Sequence, residues 1–124
     1  MTHEEIKTAA NGLISMAHNG KILEAIDKYS DDNIVTQEGV TGKPSEGGKK
    51  KLLENYKIFL DNMTEVNTYK GKLVSVGENV SAIEWELDFK NNLPGWEVIK
   101  LTEIAVQEWK DGKITRETFF YNPQ

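Results

Sequence analysis

The chain has no cysteine, which removes disulfides, thiolate nucleophiles and cysteine-ligated metals together. A cytoplasmic location fits that lack. Histidine is nearly absent too: His3 and His18 stand apart, and with scattered acids they make no metal-ligand cluster. There is no phosphate loop, nucleophile elbow or nucleotide fingerprint, so no metal or cofactor is expected. No apolar run approaches the length that crosses a bilayer. The opening MTHEEIK lacks the apolar stretch of a secretory signal. Basic residues are outnumbered, 15 Lys and Arg against 20 Asp and Glu. The resulting charge of -5 argues against nucleic acid or an acidic membrane as a partner. Repeats and low-complexity tracts are missing. What remains is a single domain over residues 1–124, able to bury about two thirds of its unfolded surface.

What the chain does have is a long carboxyl-terminal hairpin, VIKLTEIAVQEWKDGKITRETFFY. Two alternating stretches meet at Asp111-Gly112, a strong hairpin signal. Ile99, Leu101, Glu103, Ala105 and Gln107 share one face of the first arm, and Val98, Thr102, Ile104 and Val106 share the other. Both faces are largely apolar and both are interrupted by charge. That pattern predicts a curved sheet with helices on its concave side and another subunit on its convex side.

Upstream, Thr2 and Glu5 form a capping box ahead of Ile6, Ala10, Leu13 and Ala17 at helical spacing. Gly20 ends that helix, and His18 near its end suits the helix dipole as a cation. A short second helix carries Leu23, Ile26 and Tyr29, and Ser30 to Asn33 breaks it. Ile34 to Glu38 reads as a strand, and Gly39 to Gly48 as a loop. Leu52, Leu53, Tyr56, Phe59, Leu60 and Met63 form the buried stripe expected of a third helix. Lys49-Lys50-Lys51 at its start reads as a solvated face. Strands follow over 65–76 and 80–90, then the hairpin. The order α-α-β-α-β-β-β-β predicts an α+β domain.

The run NGKILEAIDKYSDD from Asn19 to Asp32 and the DGKI turn from Asp111 to Ile114 resemble the nuclear transport factor 2-like superfamily. The chain is most similar to its SnoaL-like branch, named for polyketide cyclases, over nearly its whole length. That resemblance implies a cone-shaped curved antiparallel sheet wrapped around a long helix. It also implies an apolar pocket between them and a homodimer through the convex sheet face. Isomerases, dehydratases, cyclases and binding proteins share this shape. The related ketosteroid isomerase needs a tyrosine, an aspartate base and a protonated aspartic acid. Those places fall near Leu13, Gln37 and Ala105, none of which can do that work.

Which residues face the pocket depends on the hairpin register. A two-residue Asp-Gly loop pairs Lys110 with Lys113, and a three-residue loop pairs Trp109 with Lys113. The resemblance favours the longer loop. Glu103, Ala105, Gln107, Thr115, Glu117, Phe119 and Tyr121 would then be concave with Ile83, Trp85, Leu87 and Phe89. Val98, Ile104, Val106, Ile114 and Phe120 would be convex, with Lys100 and Arg116 available to Glu84, Glu86 and Asp88. Glu103 and Glu117 would be diagonal neighbours about 7 Å apart. With the shorter loop, Glu117 leaves the pocket.

Two acids in an apolar hollow raise at least one pKa and can work as base and acid, Glu103 leading and Glu117 its partner. Each would equally suit a pairing with a buried Tyr, Trp or Lys, or a wet mouth. Tyr56, Trp85, Phe119 and Tyr121 are candidate ligand-lining residues, though aromatic stripes also make plain core. Gln37 is a candidate for orienting a ligand carbonyl. The reading is a small, mostly apolar, carbonyl-bearing ligand, with cofactor-independent proton transfer (aldol cyclisation, isomerisation or dehydration). The alternative is a non-catalytic binding or dimerisation module.

Overall fold

The capping box closes as the sequence requires in the computed structural model, which describes residues 1–121. Thr2 Oγ1 accepts the Glu5 N–H at 3.1 Å and the Glu5 carboxylate accepts the Thr2 N–H at 2.8 Å. They start α1 (His3–His18), whose buried stripe is Ile6, Ala10 and Ile14. Gly20 follows in a left-handed conformation. The next elements are α2 (Ile22–Tyr29), β1 (Ser30–Glu38), α3 (Gly48–Asp61), β2 (Met63–Gly77), β3 (Val80–Asn91), β4 (Val98–Lys110) and β5 (Lys113–Phe120).

The expected order of elements is the observed one, and the α+β class with it. Two boundaries move. Ser30 to Asn33 does not interrupt the chain but opens β1, and Met63 belongs to β2 rather than to the helical stripe. The sheet runs β1-β5-β4-β3-β2 and is not closed. It is mixed: β1 lies parallel to β5, and the other pairings are antiparallel. The parallel pair arises because α3 and three strands intervene between β1 and β5.

At one end of the cone α1 plugs the sheet. Ile6, Ala10 and Ile14 meet Ile34, Ile83 and Trp85, with Ala105, Trp109 and Ile114 completing the cluster. Gly71 on β2 is required there, since a Cβ would stand 2.5 Å from the Trp85 ring. The same residue's N–H donates to His18 Nε2 at 2.9 Å. His18 therefore ties α1 to β2 as a hydrogen-bond acceptor.

The other end is different. No residue of α3 is fully buried, although its apolar stripe is complete. The stripe faces a hollow instead of a packed core. The start of α3 is held by Lys49, whose Nζ donates to the Asp27 carbonyl at 3.1 Å and pairs with the Asp27 and Asp32 carboxylates at 3.4 and 3.3 Å. That residue is a tie to α2 and β1, not part of a solvated lysine face.

The hairpin takes the two-residue turn, contrary to the favoured three-residue one. Asp111 and Gly112 both have positive φ, 51° and 83°, and Lys110 pairs with Lys113. Alone, this turn would send Glu117 to the convex face. One further irregularity prevents it. Trp109 pairs with Ile114 but Glu108 pairs with Arg116, so Thr115 is an extra residue in β5. The bulge reverses the side-chain parity and returns Glu117 to the concave side. Ile114, expected convex, lies in the core at 2 % exposure because the two-residue turn pairs it with the buried Trp109, ahead of the bulge. Thr115, expected concave, instead donates its hydroxyl to the Glu108 carbonyl.

Candidate functional site

The hollow between α3 and the concave sheet has a volume of about 630 Å³. Tyr56 and Phe59 face it from α3, because they follow one another at near-helical spacing on the inner stripe. Tyr69 reaches it from β2, and Phe119 and Tyr121 close it at the end of β5. Phe59 is a hub of the aromatic wall, edge-on to Phe89 at 5.3 Å and to Trp96 at 5.7 Å. Two carboxylates stand among these rings, Glu103 from β4 and Glu38 from β1. No Lys, Arg or His is among the described lining residues. An anionic ligand would meet acids without compensation.

Burial is the first cause that pushes the Glu103 carboxyl up to about 7, and the charges of Glu117 and Glu38 push the same way. Glu117 is also pushed up to about 7, by burial, while the Gln107 hydrogen bond pulls it back down. Tyr56 and Tyr69 are raised by burial and by the nearby acids, so both phenols stay protonated. Tyr121 is raised as well, by burial and then by the charge of Glu38. A site of this kind holds an acid able to gain or lose a proton near neutrality, surrounded by fixed O–H donors.

Glu103, Tyr56, Phe119 and Tyr121 are brought together at the cavity as the sequence predicts. Three expected residues are not on its wall. Gln37 points the other way, donating to the Val40 carbonyl at 3.0 Å and accepting from the Arg116 guanidinium. Its neighbours Thr36 and Glu38 line the cavity instead. Arg116, expected beside the β3 acids, is thereby engaged with β1. Trp85 is core, 7 % exposed and 5.5 Å from the Tyr69 ring. Glu117 lies behind the wall and accepts a hydrogen bond from Gln107 at 2.7 Å.

The register also separates the two acids further than expected. Ala105 faces Phe119 and Gln107 faces Glu117, so Ala105, not Glu103, is the diagonal neighbour of Glu117. Glu103 lies one pair beyond, close enough for its charge balance to feel Glu117.

Glu38, Tyr69 and the role of Gln107 were missed. Glu38 was legible: counting by two from the buried Ile34 puts Thr36 and Glu38 on the inner face and Gln37 outside. Tyr69 was not, because β2 carries register shifts at Met63/Glu65, Val66/Thr68 and Leu73/Ser75 that defeat such counting.

The SnoaL-like domain model matches residues 1–121. The chain belongs to the SnoaL-like family. This places it in the nuclear transport factor 2-like superfamily, and solved structures agree with the cone. A Mesorhizobium loti protein assigned as a SnoaL-like polyketide cyclase superposes with a TM-score of 0.80 at 26 % identity, over 98 % of this chain and all of that one. A SnoaL-like polyketide cyclase assignment from Jannaschia sp. CCS1 superposes with a TM-score of 0.73 at 6 % identity, covering 96 % and 86 %. A Bacillus subtilis protein assigned as an isomerase gives 0.71 at 17 %, covering 99 % and 91 %. At the last two identities the likeness is one of fold alone. No curated protein matches the chain. Among the described residues of this SnoaL-like domain, no cluster of His and acids has metal-binding geometry and no helix is long and apolar enough to cross a membrane. Leu13 packs against the core and Ala105 is fully buried, so neither place holds a side chain with an O–H group to offer the cavity.

Proposed function

We propose that the cone binds a small, mostly apolar, carbonyl-bearing molecule and that Glu103 moves a proton on it without a cofactor. The observation that carries this reading is a single carboxyl, pushed up to about 7, on the aromatic wall of a cavity of about 630 Å³. A carboxylate of that basicity can take a proton from the carbon beside a carbonyl, and the phenols of Tyr56, Tyr69 and Tyr121 offer O–H donors to the carbonyl oxygen. Returning the proton to another atom gives isomerisation; attack of the carbanion on a second carbonyl gives aldol cyclisation; loss of a hydroxyl gives dehydration. Glu117 serves as the partner carboxylate behind Glu103. The family match and the named cyclase relative support a ligand-binding or cyclase role.

The test is exchange of the carbon-bound protons of a cyclic ketone such as 2-tetralone in deuterated buffer, followed by proton NMR. Wild-type protein accelerates the exchange and Glu103→Gln loses the acceleration while still binding the ketone. Equal exchange by both proteins ends the catalytic reading.

A binding role without chemistry is favoured by one observation: Glu117 is already satisfied by Gln107. Ketone binding without accelerated exchange in the wild type would establish it. We further propose a homodimer through the convex sheet face, where Val98 is 61 % and Phe120 41 % exposed.

A further inference from the structure

Behind the cavity wall four side chains pass hydrogen bonds in one direction. The indole N–H of Trp109 can only donate, and it donates to Ser81 Oγ at 2.9 Å. Ser81 therefore turns its own proton to Gln107 Oε1, at 2.7 Å. The other end of that amide is the NH₂ group, which donates to the Ala105 carbonyl at 3.0 Å and to Glu117 Oε2 at 2.7 Å. Trp109, Ser81 and Gln107 are 3 %, 1 % and 0 % exposed, so water supplies no alternative partner.

The amide cannot turn over cheaply. Flipped, it would set Oε1 against the Ala105 carbonyl, which has no proton to give, and against Glu117. Trp109 and Ala105 thus hold Gln107 at opposite ends in the orientation that gives Glu117 a donor. A donor N–H favours the carboxylate over the carboxylic acid, since charge-assisted bonds are the stronger ones. Glu103 has no such amide opposite it; its place in the ladder faces the cavity.

We propose that Gln107 is a positioning residue that favours the ionised form of Glu117, so that the first proton taken up by the carboxylate pair settles on Glu103 at the cavity wall. The groups around Glu103 agree with this. Glu117 on β5 and Glu38 on β1 repel its ionised form, while Tyr56 on α3, Tyr69 on β2 and Tyr121 after β5 are neutral. The anion behind the wall then makes Glu103 a better base and keeps the acquired proton where a ligand can take it back. This rests on the reading of Glu103 as the working carboxylate.

Site-resolved titration tests it. Protein labelled with ¹³C at the glutamate carboxyls is followed by NMR, with Glu103→Gln and Glu117→Gln identifying the two signals. Expected is a Glu103 signal that titrates at higher pH than Glu117. In Gln107→Met the Glu117 signal moves up by about one to two pH units, the worth of one charge-assisted bond. In Ser81→Ala, which frees the amide to turn, it moves up by less. Glu117 titrating above Glu103 in the wild type overturns the inference. So does an unmoved Glu117 signal in both variants, or in Ser81→Ala alone should Gln107→Met not fold. The expected order in a protein that exchanges no ketone proton supports this inference while retiring the catalytic reading.

Discussion

Trp85 lies flat enough against Gly71 that a Cβ there would come within 2.5 Å of a ring carbon. The contact sets the spacing between β2 and the core under α1. Overpacking at a site with no room costs about 1–3 kcal/mol. Gly71→Ala should lower stability by about 2 kcal/mol. Urea unfolding measures it, and an unchanged midpoint would show that the ring moves aside freely.

Stability should fall as pH rises through the neutral range. Glu103 and Glu117 are raised to about 7 in the folded protein from 4.5 in the open chain. The folded state therefore binds more protons between those values, and the sign of the linkage is a loss of stability with rising pH, levelling off above about 7. Each such rise contributes a drop on the order of 3 kcal/mol, and the two together up to about twice that. Thermal melts at about pH 5 and about pH 8 should differ by several degrees in favour of the lower pH. Glu103→Gln should flatten the difference; an equally steep dependence in that variant would exclude Glu103 as its source.

The cavity should discriminate by charge. With Glu103 and Glu38 on the described wall and no cation there, an anionic ligand gains no partner and meets repulsion. At about pH 8, 2-tetralone should bind at least about tenfold more tightly than a naphthoate of similar size, a difference of about 1.4 kcal/mol. Calorimetry decides. Tighter binding of the acid would mean that the carboxylates do not govern the site.

Disruption of the convex face should change the assembly. Phe120 is exposed there beside Ile104, its partner across the β4–β5 ladder. Phe120→Lys should shift a dimer toward monomer in size-exclusion chromatography with light scattering, leaving ketone affinity within about threefold, as expected when contacts to the ligand are not touched. A wild-type monomer at high concentration would exclude the interface.

Much of the fold was legible because local signals agreed with each other. Thr2 and Glu5 marked the start of α1, and Gly20 its end. The Asp111-Gly112 turn marked the hairpin, and the alternation from Val80 to Phe89 marked the face of β3 that is buried. The candidate site was legible only in part. Glu103 could be placed because β3 and β4 pair without interruption from Val80 to Lys90, so the parity of β3 carries over to β4. Gln37 was placed wrongly because a family position was preferred over the parity set by Ile34.

By itself the sequence determined the elements, their order and the apolar faces, since turn chemistry and side-chain periodicity act over a few residues. Only the tertiary structure decided that Glu117 returns to the inner side, through the extra Thr115 in β5, and that α3 faces a hollow rather than a core. A bulge shifts every later side chain by one face, yet it arises from how two strands twist against each other. An empty volume has no residues of its own, so it exists only where elements distant in the chain fail to meet.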